Sequence, residues 1–263
     1  MRVARLVTLV AVLALVASAE AAADDPPAPP AGNAPAPSAA PDAAKVLEGL
    51  KSKERDARIE AARQAKDLQD DKLVAPLGAL LEDEDAAVRQ VAIDALGRRE
   101  AADAKKKAAT SLNAHLTKIG KKDGSDTEVI LTAQALGRLA QTSSVDPLVS
   151  DIGLETSADV VKARLSAVAN IPCAEAIDAL IQFLAKQGRG QSGPQRQACR
   201  DALREATGED FPADADRWRP WWKEARKTFD FAAAAHRREE EQAKKDEKQA
   251  RKNKKDDGGG KKK

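Results

Sequence analysis

One helical segment recurs along this chain, and it limits the fold more than any other feature of the sequence. Its copies read ARIEAARQAKDL, AVRQVAIDALGR, EVILTAQALGRL, DVVKARLSAVAN and QRQACRDALREA. Each carries a small residue at the same helical phase, namely Ala65, Ala95, Ala135, Ala167 and Ala202, at intervals of 30, 40, 32 and 35 residues. A mean interval of about 34 residues is typical of stacked helical hairpins. A small residue at a fixed phase would let successive helices approach closely.

The segment 71–100 shows the repeating unit most clearly, because it reads as two amphipathic helices joined by a tight turn. The first helix carries Leu73, Val74, Leu77, Leu80 and Leu81. The second carries Val88, Val91, Ala92, Ala95 and Leu96, with Asp85 placed to cap its start. Both apolar faces are wide, so each helix must bury against more than one neighbour. A stack of hairpins provides those neighbours, whereas a single hairpin does not.

Other local signals favour helices throughout 45–231. Val and Ile never form alternating runs between turn pairs, which argues against strands. Ser125 and Glu128 have the spacing of a capping box. Pro194 is predicted to occupy the first position of another helix. Together these signals predict an all-α fold.

The run from Asp85 through Val88 and Arg89 into AIDALG, preceded by Pro76 in a first helix, resembles HEAT repeats. The closest subtype is the short bacterial kind that is also seen in phycobilin-lyase-type repeat proteins. The resemblance covers about 45–208 and is strongest over 71–98. It implies a right-handed α-solenoid of four to five HEAT-like hairpins, in which the second helices usually line the concave face.

The segment 209–231 holds six of the seven aromatic residues of the chain. Trp218, Trp221 and Trp222 stand at i, i+3 and i+4, and Phe229 follows on the same side. TGEDF followed by the tryptophans resembles a C-terminal extension of many secreted bacterial HEAT-repeat proteins. We predict a Trp-rich capping helix whose aromatic cap comprises Phe211, Trp218, Trp221, Trp222 and Phe229. The alternative is an aromatic platform for a glycan or a peptide.

Pro220 lies between these tryptophans, so it should either delay the start of the helix or bend it. If the proline leaves one indole outside the cap, Trp218 is the candidate, because it lies on the near side of the proline.

The N-terminal residues read as an export signal and a spacer. A basic start with Arg2 and Arg5, an 11-residue apolar run and an Ala-Ser-Ala site predict a signal peptide over 1–19. A membrane anchor is the alternative, but it needs roughly 20 apolar residues. The Pro/Ala-rich 20–44 predicts a disordered linker. The mature protein is therefore predicted to be exported and soluble, in the periplasm or outside the cell.

Charge is concentrated at the C-terminus. The Lys-rich tail 232–263 carries 12 basic and 7 acidic residues and predicts a frayed, solvated helix followed by disorder. The basic pI is therefore a property of the tail, and the folded part lacks the overall charge of a nucleic-acid-binding domain. We predict no specific nucleic-acid partner.

Catalytic and metal-binding patterns are not evident. The two histidines, His115 and His236, lie on different segments and neither precedes a glutamate, unlike the paired His-Glu motifs of iron-binding HEAT-repeat enzymes. Bilin-lyase chemistry has no residue to support it, and zinc-ligand spacing is missing. His115 is interpreted as a surface or edge imidazole. We predict no enzyme activity, no catalytic residues, no cofactor and no metal.

Cys173 begins the first helix of the last hairpin, and Cys199 lies in the middle of the second. In antiparallel packing Cys199 should face a residue near position 181, about 12 Å from Cys173 along the helix. A disulfide needs Cα atoms within about 7 Å of each other. We therefore predict two buried free thiols, and a bridge remains the alternative if these helix bounds are wrong.

These inferences lead to two hypotheses about function. The first is an exported, monomeric, non-catalytic scaffold for a protein partner, with a ladder of Asp94, Arg98, Gln134 and Arg138 on the second helices. The ladder residues could equally be solvated surface. The second is a cell-envelope anchoring protein whose basic tail binds anionic polymer or lipid headgroups.

Overall fold

The structure is a computed structural model that describes residues 42–120, 125–153, 156–187 and 193–258. The predicted signal peptide 1–19 and the linker up to Pro41 lie outside the described residues. All regular elements in the described part are helices, and no strand occurs there. None of the described helices combines the length and the apolarity that crossing a membrane would require.

The first three hairpins are formed by six α-helices. They are α1 Ala43–Leu50 with α2 Arg55–Asp67, α3 Val74–Ala79 with α4 Ala86–Leu96, and α5 Ala102–Ile119 with α6 Asp126–Leu139. The 3-10 turns Asp71–Leu73 and Leu80–Glu82 flank α3. The segment that contains Pro76 is therefore a broken helix, in line with the missing N–H and the bulky ring of proline.

Two more hairpins and two further helices follow. They are α7 Val145–Val149 with α8 Ala158–Ala169, α9 Ala174–Lys186 with α10 Pro194–Thr207, then α11 Ala215–Ala225 and α12 Phe231–Gly258. A 3-10 turn, Thr142–Ser144, leads into α7.

The helices stack in two layers. The A layer consists of the first helices α1, α3, α5, α7 and α9, and the B layer consists of the second helices α2, α4, α6, α8 and α10; each helix contacts the next one in its layer. Helix α11 packs against α9 and α12 packs against α10, so the last two helices extend the layers. The chain is an all-α solenoid of HEAT-like helical hairpins.

The alanine column predicted from the repeat lies inside the B layer. Ala65, Ala95, Ala135, Ala167 and Ala202 are all buried. The approach is so close that a Cβ on Gly97, at the C-terminus of α4, would lie 2.7 Å from the Cβ of Ala135 on α6. A Cβ on Gly137 of α6 would lie 3.2 Å from the Cβ of Ala167 on α8. The prediction that small residues allow close helix packing is confirmed.

The helix starts agree only in part with the predicted caps. The Asp85 side chain accepts hydrogen bonds from the backbone N–H of Ala87 and Val88, and Pro194 occupies the first position of α10, as predicted. The capping box at the start of α6 is wrong. Ser125 makes no side-chain cap and donates its hydroxyl to the Ile119 carbonyl. The Glu128 carboxylate binds Arg89 of α4 instead of a backbone N–H at the helix start.

A candidate protein-binding groove

A groove of about 760 Å³ opens between α6, α8 and α12 on the outer surface of the B layer. It exists because α6 and α8 lie side by side, with Gly137 against Ala167. Its floor consists of small and apolar residues, namely Ile130, Gly137, Ala140, Ala163, Ala167 and Ala235. Polar and charged side chains form its rim, namely Gln134, Arg138, Asp159, Lys162, Ser166, Asn170, Arg238 and Glu239. We refer to this site as the groove.

Helix α12 forms one wall of the groove. Ala234 is buried in this wall, and Arg238 donates from Nη1 to the Ala169 carbonyl at 2.7 Å and to Oδ1 of Asn170 at 3.2 Å. Arg237 donates from Nη2 to the Thr207 carbonyl at 3.2 Å. Carbonyls at helix C-termini have no intrahelical partner and lie at the negative end of the helix dipole. Both arginines therefore stabilise a helix end, because each donates a charged hydrogen bond to such a carbonyl. The first turns of α12 therefore belong to the packed body.

Arg138 stands on α6, on the opposite wall. Its Nη2 lies 3.3 Å from Oδ1 of Asp94, and its Nε lies 3.4 Å from the Gly97 carbonyl. Burial lowers the pKa of Arg138 below its usual value, and Asp94 opposes that change. Burial likewise lowers the pKa of Arg238, opposed by Glu205 and Glu239. The Arg138 side chain is nevertheless 45% exposed, whereas Arg238 is partly buried, so an unpaired charge costs more at Arg238.

The structure divides the predicted ladder into two parts. The Asp94 carboxylate forms ion pairs with three cations, Lys66 at 3.4 Å and both Arg98 and Arg138 at 3.3 Å. Gln134 and Arg138 line the groove, but Asp94 and Arg98 lie outside its lining. The binding role of these four residues remains a prediction.

Sequence reasoning missed several groove residues. Ile130 and Lys162 stand at the same repeat position, five residues before Ala135 and Ala167, but five residues exceed one helical turn, so the phase of the buried alanines did not point to them. Arg238 and Glu239 had no such signal, because the region that contains them holds no apolar residue larger than alanine and was interpreted as tail.

A second set of arginines lies where the first helix of a hairpin turns into the second, in the first two hairpins. Arg58 donates to the carbonyls of Ser52 and Lys53 in its own turn and pairs with Asp83 of the next hairpin at 2.7 Å. Arg89 repeats this arrangement with the carbonyls of Asp83 and Glu84. We refer to Arg58, Asp83, Arg89, Glu128 and His115 as the turn edge.

Arg89 on α4 binds Glu128 on α6, and Glu128 also binds His115 on α5, so these contacts join three helices. Nε and Nη2 of Arg89 bind Oε1 and Oε2 of Glu128 at 2.8 and 2.9 Å, and Nε2 of His115 lies 2.8 Å from the same Oε1. Burial acts to raise the pKa of Glu128, but Arg89 and His115 outweigh it, so the pKa is lowered. His115 is 4% exposed, so the expectation of a surface or edge imidazole is wrong. A buried carboxylate on α6 gives this imidazole its partner.

The aromatic residues of the C-terminal region form one cluster. The Trp218 ring contacts Phe211 and Trp221, and Phe229 contacts both Trp221 and Trp222. The Trp222 indole N–H donates to Oδ1 of Asp178 on α9 at 2.7 Å, which fixes the cluster to the last A-layer helix.

The hypothesis that Pro220 leaves Trp218 outside is wrong. Helix α11 begins at Ala215 and runs through the proline, so it does not start late. Trp218 is 0% exposed and donates its indole N–H to the Pro212 carbonyl at 2.9 Å, and Trp221 is the partly exposed tryptophan.

The two cysteines are free, as predicted, but only Cys199 is buried; Cys173 is partly exposed. Cys199 Sγ lies 3.1 Å from the Leu180 carbonyl, close to the expected register. Burial raises the pKa of the Cys199 thiol to about 12, so this thiol is protonated at neutral pH and a poor nucleophile. Across the described part of the chain, no three His, Cys, Asp or Glu side chains cluster in a way that could hold a metal ion.

Comparison with known proteins agrees with this architecture. Residues 43–118 match the family model for HEAT repeats, which covers α1 to most of α5. The match supports a HEAT-repeat family for this part of the chain. No curated protein gives a significant match.

Proposed function

We propose that this chain is a non-catalytic scaffold that binds a partner protein through the groove. HEAT repeats generally serve as protein-interaction scaffolds. The observation that carries the proposal is the composition of the groove, a floor of small apolar residues bordered by charged side chains. An apolar centre with a polar rim is the usual anatomy of a protein interface. We further propose that the protein is exported and acts as a monomer.

The size of the groove supports a peptide segment rather than a whole domain as the part that enters it. A volume of about 760 Å³ lies in the range of sites that enclose one compact ligand. The small floor residues leave room for a backbone to lie close to α6 and α8. A partner would then place a few side chains in the groove and contact the rest of the B layer less tightly.

Blocking the groove tests this proposal. Ala163 lies on the floor and is partly exposed, so Ala163→Trp should fill the space without entering the core. Ala179→Trp is a matched control, because Ala179 is partly exposed in a groove of about 720 Å³ elsewhere, beside α7 and α9. Full-length wild type and both variants serve as bait for envelope proteins, with retained proteins identified by mass spectrometry. We expect Ala163→Trp alone to lose the partner, and equal retention by all three baits would contradict the proposal.

A second candidate function is anchoring to an anionic envelope surface through α12. This helix continues to Gly258, well beyond Arg238, and the side chains of Lys244 and Lys248 are exposed. Residues 244–255 carry seven basic and two acidic residues. A chain that ends after Glu240 keeps the groove wall and removes this segment. If anchoring is the function, the truncated chain should lose binding to anionic vesicles, and wild-type binding should weaken steeply between low and physiological salt.

A further inference from the structure

We infer that the groove recognises an acidic peptide segment, whose carboxylate is held between Arg138 and Arg238. This inference rests on the proposed function and adds the chemistry of the partner. The two arginines line the same groove from opposite walls, one on α6 and the other on α12. The groove therefore offers two guanidinium groups to one occupant.

Neither arginine has a carboxylate partner to itself within the described part of the chain. Arg238 donates to a backbone carbonyl and a side-chain amide, and no carboxylate of a described residue lies within salt-bridge distance of it. Arg138 has a carboxylate partner in Asp94, but it shares that partner with Lys66 and Arg98. Each arginine thus lacks a carboxylate of its own, and Glu205 and Glu239 act on Arg238 only from beyond ion-pair distance.

Both guanidiniums also retain unused hydrogen-bond donors. A guanidinium has five N–H donors. The hydrogen bonds of Arg138 use Nε and Nη2, and those of Arg238 use Nη1. Nη1 of Arg138 and Nη2 of Arg238 remain without a hydrogen bond to described residues. Charge-assisted bonds from arginine to carboxylate are about twice as strong as neutral ones, so a carboxylate is the ligand group that these donors favour.

The other charged residues of the rim indicate where in the groove the acidic side chain of the peptide would bind. Asp159 lies near the start of α8, with Lys162 one turn later. Arg138 lies near the C-terminal end of α6, and Arg238, on α12, contacts the C-terminal end of α8. Beside these two arginines the groove lining has one acidic residue, Glu239. The C-terminal half of the groove is therefore the positive half. We place the carboxylate there and small or apolar side chains over Ala163 and Ile130.

The test uses a displayed library of random twelve-residue peptides, selected on the full chain. We expect the recovered peptides to be enriched in Asp and Glu and to lose binding to Ala163→Trp. A recovered peptide should bind at least tenfold more weakly to Arg138→Ala, to Arg238→Ala and to Arg238→Gln, which keeps an N–H donor for the Ala169 carbonyl. Replacing the acidic residues of the peptide by their amides should cause a similar loss. Arg219→Ala, an exposed arginine on α11, is the matched control and should bind normally.

The outcomes separate the two proposals. Peptides that need an open groove but show no acidic preference, or that ignore both arginine substitutions, overturn the acidic clamp and leave the scaffold proposal intact. Peptides that bind Ala163→Trp as well as wild type overturn the groove as the binding site. Failure to recover any groove-dependent peptide counts against both. Thermal unfolding of each variant, followed by circular dichroism, identifies a variant that has lost its fold.

Discussion

Arginines of the B layer and of α12 are used in two different ways, and the turn edge and the groove show the contrast. At the turn edge, Arg58 and Arg89 each bind both oxygens of one carboxylate and the carbonyls of one turn. At the groove, Arg138 shares a carboxylate with two other cations, and Arg238 has neutral partners only. At the turn edge the charges are paired within the protein, and the pairs join successive hairpins. At the groove the two guanidinium groups keep N–H donors that a bound partner can use.

The contrast indicates that similar residues stabilise one edge of the solenoid and serve recognition on its surface. Substitutions at the turn edge should therefore lower stability, and substitutions at the groove should lower binding. Three stability experiments test that division.

The largest effect is expected for Glu128→Ala. This change leaves the buried His115 and the partly buried Arg89 without their carboxylate partner, and breaking such a pair costs about 3 kcal/mol. The free energy of unfolding, from guanidinium denaturation followed by circular dichroism, should fall by about that amount. Glu239→Ala, which removes a carboxylate from the groove rim, is the control and should change it by less than about 0.5 kcal/mol. Similar losses in both variants would remove the distinction between the two regions.

An intermediate effect is expected for Asp83→Ala. Its carboxylate is 8% exposed, pairs with Arg58 and accepts the Asp85 backbone N–H, so its removal should cost about 2 kcal/mol. Asp94→Ala is the matched change near the groove, where the carboxylate is 37% exposed, and exposed pairs contribute about 0.5 kcal/mol. The same denaturation measurement checks both, and a loss at Asp94 as large as that at Asp83 would contradict the comparison.

The smallest effect is expected in the pH dependence of stability. The pKa of Glu128 is lower in the folded state than its usual value of 4.5. A lowered pKa means that this stabilisation is complete above the unfolded pKa and is lost as the pH falls through the folded value. Wild type should therefore lose stability below about pH 4.5, and Glu128→Gln should lose less over the same range. Melting temperatures between pH 7 and pH 3 measure this difference, and parallel profiles would argue against an ionised Glu128 at the turn edge.

The sequence predicted the stack because the signal is local and repeated. Each repeat has one small residue at a fixed helical phase, such as Ala95, Ala135 and Ala167, and these positions are enough to predict how the B-layer helices pack. All three residues are buried in the structure. The ion pairs were less accessible to prediction, because Arg89, His115 and Glu128 meet only after three helices have packed. Glu128 had the spacing of a capping residue, and no local pattern shows that a distant arginine competes for it.

The groove was predicted only in part for a similar reason. Gln134 and Arg138 follow from the repeat phase, but the opposite wall comes from α12, whose composition resembles a solvated tail. Its contacts are made by Ala234 and by the two arginines that bond to helix C-termini. Hydrophobicity patterns do not record contacts of this kind, because a long polar side chain can pack while its charged end makes hydrogen bonds.

Site-specific photocrosslinking tests the central claim, that the groove is the partner site. A benzoylphenylalanine would replace Gln134 on the groove rim or, as the matched position, Gln182, an exposed glutamine in the groove beside α7 and α9. We predict that position 134 crosslinks to the protein that wild type retains and Ala163→Trp loses, and that position 182 does not. Crosslinking of that protein at Gln182 without crosslinking at Gln134 would contradict the account.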